Sequence, residues 1–450
     1  LLNHLADAVR RHLPRGLLPV RFAVTETTAS AYKCELGVIE GMNEDQFAHS
    51  CSIFDFTPRA AENNMAFNAV LLVPTGIGCE IGGHAGDANP VARLLAAGCD
   101  TLITHPNVVN ASDINDLPEN GLYVEGSVIS RLLMGECGLQ PVRANRVLAI
   151  IDEHPDSTFT NAAINSVSAA RASYGMRCPA VIRLDPPVYL KSVFAPSGRA
   201  VGTVERLEGL IDVLDEYWGQ YDAVALSTQI DVPFNYHMDY YTARGDMINP
   251  WGGIEALFTH AVSSLYDVPA AHSPMLESQN VANIELGTVD ARMAAEDISN
   301  AFFMCVLKGL QRSPRIIKDI RTGNRPGVLT AADVSCLIIP DGTIGLPTLA
   351  ALEQGIPVIA VRENRNIMRN KLNALPWKAG QLYIVDNYLE AAGVMSALRQ
   401  GVDPSAVRRP LDDTVHVQRH NSPSGLTADP EADSGNSGPL VETVPAKNSV

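Results

Sequence analysis

Apolar positions along the chain change period several times, and each change marks an element. Leu2, Leu5, Val9 and Leu13 recur at helical spacing, and Pro14 and Gly16 end that helix. The run VRFAVTETTASAYKCELGVIE is rich in β-branched residues and predicts two strands of a hairpin or edge pair. A polar connection, 41–64, leads to VLLVPTGIGCEIGGHAGD, residues 70–87. This stretch opens as an apolar run, passes Pro74, and sets Gly76, Gly78, Gly82, Gly83 and Gly86 in a single loop. Glycine lets the backbone take positive φ or approach a neighbour closely. A strand ending in such a loop is where open α/β sheets place their ligands, so the rest of the chain is read around it.

Strands and helices then alternate. Asn89-Pro90 starts the helix PVARLLAAG, and Gly98 stops it. The strand CDTLITH runs into a long polar loop, 106–127, followed by a helix from Val128 to Met134 and the strand RVLAIID. Asn161–Tyr174 reads as a helix, PAVIRL as a strand, Val204–Trp218 as an amphipathic helix and YDAVALST as a strand. An aromatic and polar loop, 231–253, precedes the helix GIEALFTHAVSSLY and the strand VPAAHSPM. The last folded block holds a helix from Asp290 to Leu310, the strand VSCLIIP, the turn Asp341-Gly342, a helix from Gly345 to Glu353, the strand IPVIAV, and a final strand and helix ending at Leu398.

This is the grammar of doubly wound parallel sheets, and the expected fold class is α/β with two Rossmann-like lobes and largely parallel sheets. The expected division is 1–65 for the helix and strand pair, 66–230 for a glycine-loop lobe, 231–410 for a second lobe, and 411–450 for a disordered tail rich in Ser, Pro, Asp and Gly. NPWGGIEALFTHAVSSLYDVPAAHSP and IPDGTIGLPTLAALEQGIPVIAV share a pattern of glycine turn, helix and strand, which marks them as candidate equivalent units.

A length of 450 residues suits two domains with appendages. Fifty acidic against 34 basic residues, a net charge of -16, argue against a nucleic-acid backbone or an anionic membrane as partner. Eight cysteines without a CxxC pair fit reduced, buried thiols in a reducing compartment. No run approaches the ~18 apolar residues of a membrane span, and no signal-peptide pattern stands at the start. The chain opens on Leu1 rather than Met, which leaves a preceding targeting segment open.

Candidate chemistry sits in the loops. Glu80, His84 and Asp87 stand among the glycines, and His105, Asn107, Asn110, Ser112 and Asp113 follow the next strand at the same sheet edge. His84, Asp87, His105 and Asp113 offer nitrogen and oxygen ligands to a metal, or an acid–base pair with histidine as proton carrier. Asp113 and Ser112 have a plainer reading as turn or N-cap residues. The glycine N–H groups of Gly76, Gly78, Gly82 and Gly83 would hold an anion, although neither GxGxxG nor GxxxxGKS is present. Cys79 reads as a structural thiol, with a nucleophile as the alternative. A further cluster, His237, Asp239, Tyr240, Arg244 and Asn249, reads as a substrate cover or a surface loop. Lys191, Ser197 and Arg199 offer an anion contact, and His260 and His272 read as core or surface residues.

From TGIGCEIGGHAGDANPVARLLAAGCDTLITHPNVVNASDINDLPENGLYVEGSVISRLLMG the chain resembles the family called domain of unknown function 3326, known from cyanobacteria and photosynthetic eukaryotes. The resemblance extends over most of the chain to about Gln400. It implies shared architecture and a cyanobacterial or plastid setting, and it carries over no catalytic residues. DGTIGLPTLAALEQGIPVIAV resembles, more locally, the nucleotide-sugar segment of two-lobed glycosyltransferases. That likeness implies a nucleotide contact at Asp341, Gly342 and Thr343, but Pro347 stands where a glutamate is usual.

The combined expectation is an enzyme acting on a small polar, anionic metabolite in an interdomain cleft, with Glu80, His84, Asp87, His105 and Asp113 lining it. A nucleotide-sugar-binding glycosyltransferase or epimerase-like protein and a non-catalytic ligand-binding module are the alternatives. The setting would be the cytoplasm or plastid stroma, with no nucleic-acid or membrane partner and room for a homo-oligomer. Cofactor and metal are left unassigned.

Overall fold

The computed structural model describes residues 1–14, 16–40, 52–243, 246–299, 301–318, 320 and 326–419. Its main strands are β1 (Leu17–Thr27), β2 (Tyr32–Glu40), β3 (Asn68–Leu71), β4 (Thr101–Thr104), β5 (Gly121–Tyr123), β6 (Val147–Asp152), β7 (Val181–Leu184), β8 (Tyr189–Phe194), β9 (Ala200–Glu205), β10 (Ala223–Asp231), β11 (Ala270–Met275), β12 (Val334–Pro340), β13 (Ile344–Gly345), β14 (Val358–Val361) and β15 (Leu382–Val385). The molecule is α/β. One six-stranded sheet has the order β15-β14-β12-β3-β4-β5, parallel throughout. In a second sheet β7, β6, β10 and β11 run parallel, and the antiparallel hairpin β8–β9 joins through β8 to the end of β10. The N-terminal hairpin β1–β2 pairs with β13, setting Ala23 opposite Gly345 and Val24 opposite Ile344.

Central parallel strands are covered on both faces, so they read as unbroken apolar runs. All seven residues of β12 and all four of β3 are buried. The helix Phe302–Arg312 lies between the sheets: its Phe303, Val306, Leu307 and Leu310 belong to one apolar cluster with Leu71 and Ile338 of the first sheet and Ala149 and Ala225 of the second. That shared core makes Leu1–Pro404 a single unit.

Strand order in the first sheet reverses between β3 and β12. The chain proceeds outward through β4 and β5 on one side and through β14 and β15 on the other. A crevice opens where the connections diverge. The glycine loop leaves β3 and the Asp341-Gly342-Thr343 turn leaves β12, so the two loops flank one crevice.

Several elements differ from expectation. The loop 106–127 contains the edge strand β5, too short to produce a period of its own. The helix expected from Val204 begins at Glu208, because 200–205 is β9 paired with β8. LKSVFAPSGRAVG is thus a hairpin, the loop 231–253 holds the helix Phe234–Thr242, and the helix expected over 290–310 is divided into Ala294–Asp297 and Phe302–Arg312. Segments 66–230 and 231–410 each supply strands to both sheets. Residues 411–419 carry neither helix nor strand, and the rest of the expected tail lies outside the described residues.

Candidate functional site

A cavity of about 330 Å³ opens at the crevice between β3 and β12. Its walls come from three places: Arg21 and its neighbours on β1, the loops after β3, β4, β5 and β12 of the first sheet, and the segments 249–260 and 271–277 of the second. Helices Gly126–Leu133, Phe302–Arg312, Gly252–Tyr266 and Leu346–Gln354 present residues of their first turns to it. Helix N-termini carry partial positive charge. The last two belong to the pair of look-alike stretches, and each lies in the chain between neighbouring parallel strands, β10 and β11 in one sheet and β12 and β14 in the other.

Of the expected site residues, His84 and His105 line this cavity, with Gly83 and Thr343. Glu80 stands away from it, half exposed between Arg365 (2.9 Å) and Arg292 (3.3 Å). Asp87 turns back into its own loop, where Oδ1 accepts from Gly82 N at 2.8 Å. Asp113 takes the plainer role: it accepts from the Ser299 hydroxyl and, at 2.9 Å, from Ala301 N at the start of helix Phe302–Arg312. His84, Asp87, His105 and Asp113 therefore form no ligand set, and among the described residues no three His, Cys, Asp or Glu groups gather around a metal position. Arg244 lies outside the described residues.

The glycines are required by packing. A Cβ on Gly76 (φ +75°) would lie 2.6 Å from Ala200 O, and one on Gly83 would lie 2.2 Å from Cys79 O. Gly78 and Gly82, also at positive φ, would meet Ile248 and Val73. Four of the loop's donors are engaged within the protein: Glu80 N on Arg365 O, Ile81 N on Asn364, Gly82 N on Asp87, and Ala85 N on Glu296. Of the four glycines expected to hold an anion, Gly82 already donates to Asp87 and only Gly83 lines the cavity. Cys79 is buried, and burial pushes its thiol up, as befits a structural residue. At the second turn, Asp341 accepts from Gly342 N at 2.8 Å and Thr343 donates to Pro340 O at 2.7 Å.

The buried polar groups around the cavity are ordered in chains. Tyr240 donates to Glu296 Oε2 at 2.6 Å, and its oxygen lies 2.7 Å from His84 Nδ1. With the hydroxyl proton given to Glu296, Nδ1 of His84 is the donor and Nε2 keeps its lone pair. Burial, reinforced by Arg292, holds His84 down to about 4, so it is neutral. Burial raises Glu296 to about 7, against hydrogen bonds from Tyr240 and Ala85 N. His105 Nε2 accepts from Val73 N at 3.1 Å, and burial holds this ring down to about 4 as well. Opposite, Glu125 caps helix Gly126–Leu133 and binds His260 at 2.8 Å; burial would raise its carboxyl, but His260 and Ser127 bring it below its ordinary value. His272 is held by Glu255 at 3.0 Å and Thr228 at 2.8 Å.

Three arginines line the cavity: Arg131, which pairs with Asp267, the buried Arg199 and the partly buried Arg21. Arg199 pairs with Glu35 at 2.6 Å, its side chain is 4% exposed, and its Nε has no partner. Arg21 donates to Gly253 O and Thr75 O, and burial beside Arg199 lowers its guanidinium to about 9. Sequence reasoning named Arg199, His237, Asn249, His260 and His272, though with bland readings beside them. It missed Arg21, Glu125, Trp251, Glu255, Glu277 and Glu296. Of these, only Arg21 had a local signal, a charge inside the apolar run LPVRFAV.

Residues 68–408 match the family model described as "Protein of unknown function (DUF3326)". The chain belongs to this family. It is also 34% identical over 349 residues to a Synechococcus sp. protein named "Uncharacterized lipoprotein", a match that covers 76% of this chain and 93% of that protein. No solved structure matches. Neither match is to a glycosyltransferase, so the local likeness of the C-terminal segment goes unsupported. In this family member no helix among the described residues is long and apolar enough to cross a membrane.

Proposed function

We propose that this protein is an enzyme that moves a proton to or from a small anionic metabolite held in the cavity. The observation that carries the reading is the buried chain His84–Tyr240–Glu296 ending on a cavity that also receives Arg21 and Arg199. Guanidiniums and helix N-termini favour a carboxylate or phosphate. His84 Nε2 takes the substrate proton, its Nδ1 proton passes to the Tyr240 oxygen, and the Tyr240 proton passes to Glu296. A carboxyl near 7 is poised for that exchange at neutral pH. Tyr240 and Glu296 are positioning residues, and His84 is the proton carrier. A cavity of about 330 Å³, at the low end for ligand pockets, suits a small metabolite. The thiols among the described residues are free, which goes with a reducing setting, cytoplasm or plastid stroma.

The second reading, a binding module that transforms nothing, is separated by one experiment. Small carboxylates and phosphate monoesters are incubated with the protein in deuterium oxide, and loss of carbon-bound protons is followed by proton NMR. The expected result is exchange at one position of a bound compound, with at least a hundredfold loss in His84→Gln while binding survives. Binding without exchange in the parent would leave the module as the correct reading.

A further inference from the structure

The cavity is electrically two-sided. At one end stand Arg21 and Arg199. At the other, Glu255, Glu277 and Glu296 share a wall with His237, Tyr241 and Trp251. Glu255 and Glu296 influence one another, and Tyr241 feels both Glu296 and Glu277. The remaining arginine of the lining, Arg131, is paired with Asp267. Two of the carboxylates have partners, Glu255 in His272 and Glu296 in Tyr240. Glu277 has only its own backbone N–H: Oε1 stands 3.8 Å from His237 Nδ1, too far for a hydrogen bond, and Oε2 is buried without a partner.

His237 is the independent sign of a missing group. Its side chain is 8% exposed, it lines the cavity, and its Nδ1 has no partner. Its ring meets Trp251 edge-on at 5.3 Å and Tyr241 at 5.9 Å. Buried polar atoms are normally satisfied, so orphans at both ends of one cavity mark places where a ligand completes the network. The first turn of helix Gly252–Tyr266 links the ends: its Gly253 carbonyl accepts from Arg21, and Trp251 at its start packs on His237. One helical turn is ~5 Å, which sets a short separation between the two ends.

We infer that the metabolite held here is a small zwitterion, with its carboxylate or phosphate at Arg21 and Arg199 and its ammonium group against Glu277, among His237, Tyr241 and Trp251. This rests on the reading of the cavity as an anion site and names the class of compound that fills it. An ammonium group donates three hydrogen bonds and no others are needed to satisfy it. Glu277 Oε2 takes one, the neutral His237 Nδ1 takes a second, and the aromatic rings offer a wall that favours a cation.

The test uses matched pairs that differ only in the amine: valerate against 5-aminovalerate, and ethyl phosphate against phosphoethanolamine. Affinities are measured by calorimetry on the full chain. In at least one pair the amino compound is expected to bind about tenfold more tightly than its partner. Glu277→Gln, isosteric and so expected to fold, should erase that advantage while leaving the plain anion unchanged. Trp251→Phe should cut the same advantage about threefold, and Arg199→Gln should weaken both members alike. The zwitterion assignment is overturned if plain anions bind but the amine adds nothing, or if its advantage survives in Glu277→Gln. If no member of either pair binds the parent, the anion site itself fails, and this inference with it.

Discussion

His84 and Asp152 show how burial without charge compensation changes what a titratable residue does. His84 has a partner for one nitrogen and is held neutral, which leaves the other nitrogen free to act as a base. Asp152, at the end of β6, has no side-chain hydrogen-bond partner, and burial, opposed only in part by the Val188 N–H and by Arg206, raises it from 3.8 to about 8. For an acid whose folded value is raised, the protonated form is the one the fold prefers. Its contribution is complete below the unfolded value and is lost as pH rises through the folded one. Stability should therefore fall between about pH 4 and about pH 8, by up to about 1.4 kcal/mol per pH unit from this group. Asp152→Asn should flatten the slope, as read by urea unfolding at several pH values. A slope unchanged by the substitution would show that the carboxyl is solvated or paired.

At the scale of elements, the glycine loop and the helices show what was legible and what was not. The β12 strand, the helix Gly252–Tyr266 and the helix Leu346–Gln354 were readable, because unbroken apolar runs and helices with glycine at their start or end carry their own signals. The loop's glycines were readable as a special place, yet their reason was not. It lies in contacts with Ala200, Ile248 and Val73, of which two are far away in the chain. For the same reason Glu125, Glu277 and Glu296 escaped notice: each gains its role only when the two sheets meet. The glycine account predicts a contrast. Gly76→Ala combines strained φ with a Cβ 2.6 Å from a carbonyl and should cost on the order of 3 kcal/mol. Gly219→Ala has similar φ but open space and should cost about 1 kcal/mol. Denaturant midpoints decide it, and equal losses would refute the close approach.

Leu1–Pro404 form one unit threaded by a discontinuous chain. The first sheet takes β3, β4 and β5 from one stretch and β12, β14 and β15 from another, with the second sheet inserted between them. The helix Phe302–Arg312, buried against both sheets, fixes them together, and the β1 strand closes the assembly by pairing with β13. A cavity at the reversal of strand order is thereby walled by three parts of the chain. A ligand inside must be felt by all of them at once. The most direct measurement is a nitrogen-15 NMR titration of the histidine side chains with 5-aminovalerate and with phosphoethanolamine. His84 of the first sheet and His272 of the second should shift together along a single binding curve, while the exposed His12 stays still. Shifts at neither cavity histidine, or at only one of the two, would contradict a shared site between the sheets.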